Sequence, residues 1–122
     1  MAMVPLFLVG DMPAAVAFYT RILDFTLSPW DKPDDAVVSL RRGADELMLT
    51  ALPTDQRAGI NAHLLVDEID ALFAAWAARG LDQSHRTESP VHLGPVDQTW
   101  GTREFYVTDP FGNTLRIVQR PA

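Results

Sequence analysis

The sequence contains no cysteine. That absence excludes a disulfide framework, a thiolate metal site and a cysteine nucleophile. Basic residues are scarce: ten Lys and Arg stand against sixteen Asp and Glu, a formal charge of −6. Such a surface repels phosphate backbones and anionic headgroups, which argues against nucleic-acid and membrane partners and favours a cationic small molecule. Long apolar runs are missing too. The stretch VPLFLVG spans seven residues, has no basic region before it and is followed by Asp11. Neither a signal peptide nor a membrane span is expected there, and the expected compartment is the cytoplasm. No Ser-His-Asp or other nucleophile motif is visible, and no glycine-rich phosphate loop follows a strand.

What is present is enough apolar material for a core. Of 122 residues 48% are hydrophobic, which excludes intrinsic disorder, and the length suits one domain or two half-size modules sharing a core. The chain reads as one pattern written twice. Residues 3–10 form an apolar strand, Asp11 is an N-cap, Pro13 sits in the first helical turn, and apolar positions repeat at three and four from Ala14 to Leu23. Three short strands follow at 25–30, 36–40 and 46–52, separated by turn signals, and Pro53–Gly59 reads as a linker. The pattern then restarts. A strand at 60–66 precedes a helix from Glu68 to Arg79, capped by Asp67 and ended by Gly80. Leu81 to Glu88 is a weak strand, Ser89 to Gln98 a long loop, and 102–108 and 113–119 are strands joined by Asp109-Pro110-Phe111-Gly112. Val9-Gly10-Asp11 aligns with Val66-Asp67-Glu68 at an offset of 57. An α+β fold of two βαβββ modules, about 1–57 and 58–122, is expected.

Three stretches carry a family resemblance: VPLFLVGDMPAAVAFYTRILDF (4–25), HLLVDEIDALFAAWAARG (63–80) and QTWGTREFYVTDPFGNTLRIV (98–118). Together they resemble the vicinal-oxygen-chelate superfamily of glyoxalases, extradiol dioxygenases and antibiotic-binding resistance proteins, and most of all its bleomycin-resistance branch. The resemblance covers nearly the whole chain. It implies a curved mixed sheet with a concave cup and helices outside, and a homodimer with grooves between subunits. Pro5 in the first strand fits an edge, or a strand exchanged between chains.

Enzymes of this superfamily hold a divalent metal with His or Gln and Glu ligands. By resemblance those positions are here Val4, Asn61 and Arg116, with a fourth near Met48 and Glu46 on the same strand face. Val4 offers no lone pair and Asn61 is a poor transition-metal ligand. A guanidinium about 4 Å from a divalent cation costs on the order of 8 kcal/mol at an effective dielectric of about 20. No metal and no other cofactor is therefore expected at the inherited site. A shifted set of His63, Glu46 and Glu104 is the alternative, against His63 as a neutral imidazole lining the cup. His85 and His92 lack ligand spacing and read as solvent-exposed.

With the register the resemblance implies, strand parity places Val4, Leu6 and Leu8, Asn61, His63 and Leu65, and Thr114, Arg116 and Val118 on the cup-facing side, an apolar lining with a few convergent polar groups. Arg116 either pairs with Glu46 or Glu104 or holds an anionic group of a ligand. Trp76 has the phase of a core residue. Trp30 and Trp100 lie outside apolar periodic runs, and in the bleomycin-binding branch the tryptophan matching Trp100 helps to form a groove for a flat heteroaromatic tail. Phe111, in the Asp109–Gly112 turn within the third stretch, joins Trp30, Trp100, Asn61, His63, Arg116, Glu46 and Glu104 as the ligand-binding candidates. The expected function is metal-independent sequestration of a bleomycin-like or related aromatic, cationic compound, with no catalytic residue. The alternatives are a metal-dependent lyase, isomerase or dioxygenase, and an accessory binder of some metabolite.

Overall fold

The computed structural model describes residues 3–53 and 59–121. Its secondary structure runs β1 (Leu6–Leu8), α1 (Met12–Ala17), β2 (Thr26–Leu27), β3 (Val37–Arg42), β4 (Asp45–Thr50), β5 (Asn61–Leu65), α2 (Ile69–Ala78), α3 (Pro90–Leu93), β6 (Val96–Asp97), β7 (Arg103–Thr108) and β8 (Thr114–Gln119). The strands make two four-stranded mixed sheets with the same internal order, β1-β4-β3-β2 and β5-β8-β7-β6. In each, the first strand lies parallel to the last and the remaining pairs are antiparallel. The helices begin at Met12 and Ile69, which keeps the 57-residue offset read from the sequence. Two βαβββ modules in an α+β fold are thus present. The chain divides into two compact units, one of residues up to Ile60 with Asp109–Asn113, the other of Asn61–Thr108 with Thr114 onward.

In the first unit Asp11 caps α1 by accepting the Ala14 N–H at 3.1 Å, with Pro13 in the first turn, where a missing donor costs nothing. The regular helix is shorter than the apolar repeat suggested. From Phe18 to Ile22 it widens into a π-type turn, where Leu23 N–H reaches the Phe18 carbonyl. Asp24 then takes a left-handed φ of 64° and ends the segment. Met12, Val16, Tyr19, Leu23 and Phe25 are buried with Phe7, Val38, Leu47 and Leu49. The turn at 109–113 belongs to this core. Asp109 accepts from Tyr19 Oη at 2.8 Å and from the Phe111 and Asn113 amides, while Asn113 Nδ2 donates to the Leu8 carbonyl. Burial first, then the Asp109 charge and hydrogen bond, push the Tyr19 hydroxyl well above its ordinary pKa, so it stays a donor.

In the second unit α2 packs Ile69, Leu72 and Trp76 on the sheet, and Phe105 meets Phe73 and Trp76 edge-to-face at 5.1 and 5.8 Å. Trp76 is fully buried, a core residue as its helical phase required. Gly80, at φ 109°, lets the chain turn back at the end of α2.

Several expectations are corrected. Glu68, not Asp67, occupies the cap position of α2, and it caps without its side chain; Gln119 Oε1 accepts the Ile69 N–H instead, at 2.8 Å. A tertiary partner has replaced the local one. Leu81–Glu88 is not a strand; it contains a single 3₁₀ turn at Ser84–Arg86. The stretch Ser89–Gln98 is not a bare loop, because Pro90 starts a one-turn helix and Val96–Asp97 forms the edge strand β6. β1 is an edge strand, as Pro5 suggested, but it pairs with β4 of its own chain, and the Pro5 carbonyl accepts the Met48 N–H at 2.9 Å. The linker at Pro53–Gly59 falls largely on 54–58, outside the described residues. No helix among the described residues is long and apolar enough to cross a membrane.

Candidate ligand-binding site

One face of the second sheet follows from register. His63 lies opposite Arg116 and Arg116 opposite Tyr106; Leu65 lies opposite Val118 and Val118 opposite Glu104; Asn61, Thr114 and Thr108 form a third row. Residues directly opposite point to the same side, so these nine share the face that α2 does not cover. Asn61 and His63 stand exposed on it.

Its centre is Glu104. The side chain is buried, with the residue 2% exposed, and both carboxylate oxygens are engaged. Oε2 accepts from Trp100 Nε1 at 3.1 Å and Thr102 Oγ1 at 2.5 Å; Oε1 accepts from Tyr106 Oη and Arg116 Nη2, both at 3.2 Å. Burial alone would raise the carboxyl pKa. The bonds from Thr102, Trp100, Arg116 and Tyr106 outweigh it and hold the group below its ordinary value. The Arg116 guanidinium sits 4.7 Å from the Tyr106 ring centroid, a cation–π contact. Of the readings open for Arg116, pairing with Glu104 is realised. Tyr106 and Thr102 were missed in the sequence, although Tyr106, two residues from Glu104 on one strand, carries the parity signal that would have found it.

His92 corrects another expectation. It is buried rather than solvent-exposed, held between Ser89 Oγ at 2.8 Å and Thr108 Oγ1 at 3.0 Å. Burial, followed by the positive charges of Arg86 and His85, lowers its pKa. His85 is exposed, as expected.

The first unit holds a concavity of its own. A cleft of about 890 Å³ is lined by Leu27, Trp30, Ser39, Arg41, Arg42 and Glu46, among others. That volume suits a small organic ligand. Glu46 pairs with Arg41 at 2.8 Å in a solvent-exposed bridge. Phe111 lies in the turn of the first unit, where its ring faces Gly10.

Trp30 and Trp100 hold matching places. Each is the third residue after an edge strand, β2 or β6, that occupies the same position in its sheet. Each turn is closed by the same bond: Asp31 N–H to the Ser28 carbonyl, and Gly101 N–H to the Gln98 carbonyl, both at 3.1 Å. Trp30 is 88% exposed and Trp100 63%.

The residues at the inherited metal positions do not suit a metal. Val4 is apolar, Arg116 brings a cation, and the one carboxylate beside it is saturated by four donors. Among the described residues no three of His, Asp and Glu are grouped so as to hold a metal ion, the shifted set of His63, Glu46 and Glu104 included.

A duplicated βαβββ chain with the same strand order in each module defines the class of protein. The model of the Glyoxalase/Bleomycin resistance protein/Dioxygenase superfamily matches residues 4–117, and the chain belongs to that superfamily. No curated protein sequence matches it. Among solved structures it is similar to a bleomycin-binding protein complexed with bleomycin, at 24% identity and TM-score 0.78, covering 98% of each chain. It is also similar to the bleomycin-binding protein of bleomycin-producing Streptomyces verticillus complexed with copper(II)-bleomycin, at 26% identity and TM-score 0.72, covering 100% of this chain and 96% of that one. A lactoylglutathione lyase from Agrobacterium tumefaciens matches at 16% identity and TM-score 0.68, over 98% and 92% of the two chains.

Proposed function

We propose that this protein binds and sequesters a small, partly aromatic and cationic molecule of the bleomycin type, without a metal, as a cytoplasmic homodimer. The observation that carries the reading is the pair of exposed tryptophans in matching turns, Trp30 in the lining of a cleft of about 890 Å³ and Trp100 beside the polar face of the second sheet. Exposed indoles are unusual on a small domain and supply flat stacking surface to a heteroaromatic ligand. The likeness to structures with bleomycin bound supports the ligand class, and the surplus of acidic residues suits a cationic tail. Asn61, His63 and Arg116 supply polar contacts on the second sheet, Glu46 supplies one in the first, and Phe111 an apolar one. Sequestration needs only affinity and stoichiometry, so nothing is lost with the metal ligands.

The test is a titration of the protein with metal-free bleomycin, followed by calorimetry and tryptophan fluorescence. Stoichiometric binding below about 1 μM is expected, corresponding to about 8 kcal/mol, and Trp100→Ala weakens it by about tenfold, the loss of one stacking surface. No heat and no quenching at millimolar ligand would sink the reading. A chain that elutes as a monomer during gel filtration contradicts the dimer. The likeness to a lactoylglutathione lyase keeps a metal-dependent lyase, isomerase or dioxygenase as the second reading. Stoichiometric binding of Ni²⁺, Zn²⁺, Mn²⁺ or anaerobic Fe²⁺ to chelator-stripped protein, tighter than about 10 μM (about 7 kcal/mol), would move the assignment to it.

A further inference from the structure

The matching turns of the two units differ in what meets the indole. β3 carries no acidic residue, and no described residue accepts a hydrogen bond from the Trp30 indole N–H. In the second unit the Trp100 indole N–H donates to Glu104 Oε2 at 3.1 Å. A ring that is 63% exposed has little packing to fix its two χ angles, and a freely turning indole must lose that freedom when a ligand stacks on it. Glu104 cannot swing to follow the ring. It is buried on a central strand, and the donors from Thr102, Tyr106 and Arg116 fix the carboxylate from the other directions. Four donors also fill the four acceptor sites of a carboxylate. Glu104 therefore has none left for a ligand's cation.

We infer that Glu104 is a positioning residue: it touches no ligand, and holds the Trp100 indole in one orientation at the border of the sheet face so that a flat ligand meets a preformed platform. The inference rests on the proposed role of Trp100 in ligand binding. It makes the two tryptophans unequal, with Trp100 fixed and Trp30 free to adapt.

The experiment has a ligand-free arm and a binding arm. In ¹⁵N-labelled protein without ligand, the Trp100 indole N–H, assigned by its loss in Trp100→Phe, exchanges with water more slowly than that of Trp30. In Glu104→Gln its resonance moves and its exchange rises toward the Trp30 rate. Glu104→Asp, which keeps the charge but withdraws the oxygen by one methylene, does the same. Equal exchange of the two indoles in the wild-type protein overturns the inference, whatever the variants do. In the binding arm, Glu104→Gln and Trp100→Phe each weaken metal-free bleomycin by about three- to tenfold, and the double variant is no weaker than Trp100→Phe alone. Additive losses would mean that Glu104 acts on binding by some route other than Trp100, and would overturn it. If wild-type protein does not bind bleomycin, the sequestration reading falls, while the ligand-free arm still decides whether Glu104 orients the ring.

Discussion

The two sheets of this protein share strand order and pairing, and each carries an exposed carboxylate–guanidinium pair, Arg41–Glu46 in the first and Arg103–Asp97 in the second, but among the described residues the second sheet also buries one. Arg41 and Glu46 face each other directly across β3 and β4, in water. Glu104 and Arg116 lie diagonally across β7 and β8, with the carboxylate nearly inaccessible and Trp100, Thr102 and Tyr106 gathered on it. An exposed pair is worth little, since water solvates both charges nearly as well as they solvate each other. A buried one organises its surroundings, because each lone pair must be satisfied once water has been removed. The same scaffold thus leaves Glu46 solvated in one unit and surrounds Glu104 with four donors in the other.

Breaking the buried pair gives the largest expected effect. Glu104→Ala removes the acceptor for four donors and costs about 3 kcal/mol in urea denaturation. A loss below about 1 kcal/mol would place Glu104 in the same class as Glu46. The pair also carries an acid signature. Its carboxyl is held below the ordinary 4.5, so the stability it supplies is fully present above that value and is lost as the pH falls through it. Wild-type protein should therefore lose more stability than Glu104→Gln on acidification below pH about 4.5.

A smaller effect tests His92. Its pKa is lowered from 6.5, so the unfolded chain takes up the proton first and the fold loses stability as the pH drops below 6.5. Between about pH 7.5 and 5.5, the Tm of wild-type protein falls while that of His92→Gln changes less. Parallel curves would show that the imidazole does not titrate against the fold. The smallest effect belongs to the exposed pair. Glu46→Ala changes stability by under about 1 kcal/mol, and the change shrinks further in 0.5 M salt, about three times physiological ionic strength. A larger loss would erase the contrast between the two sheets.

The duplication was legible because it rests on local chemistry. Asp11 with Pro13, the turn residues, and the two-residue and 3.6-residue apolar periods all act within a few positions, and they located α1, α2 and most strands. Gln119 at the α2 terminus was not legible, because a side chain fifty residues away can replace any local cap. The equivalence of Trp30 and Trp100 was hidden by α3 and its flanks, which lengthen the second module between helix and edge strand and break the 57-residue offset. His92 read as exposed because a histidine beside prolines and glycine resembles a loop residue. Only the packing of α3 against β7, which brings it to Thr108, buries it.

Several properties were settled by the sequence itself: the absence of any thiol chemistry, the acidic surface and the repeated βαβββ pattern. These depend on which groups exist and on spacings the backbone enforces. The tertiary structure decided that Arg116 pairs with Glu104 rather than Glu46, that this carboxylate is saturated, and that one exposed tryptophan is tethered while its counterpart is not. A sequence lists donors and acceptors, but which of them meet out of reach of water depends on register and burial, and those are fixed only when the strands pair.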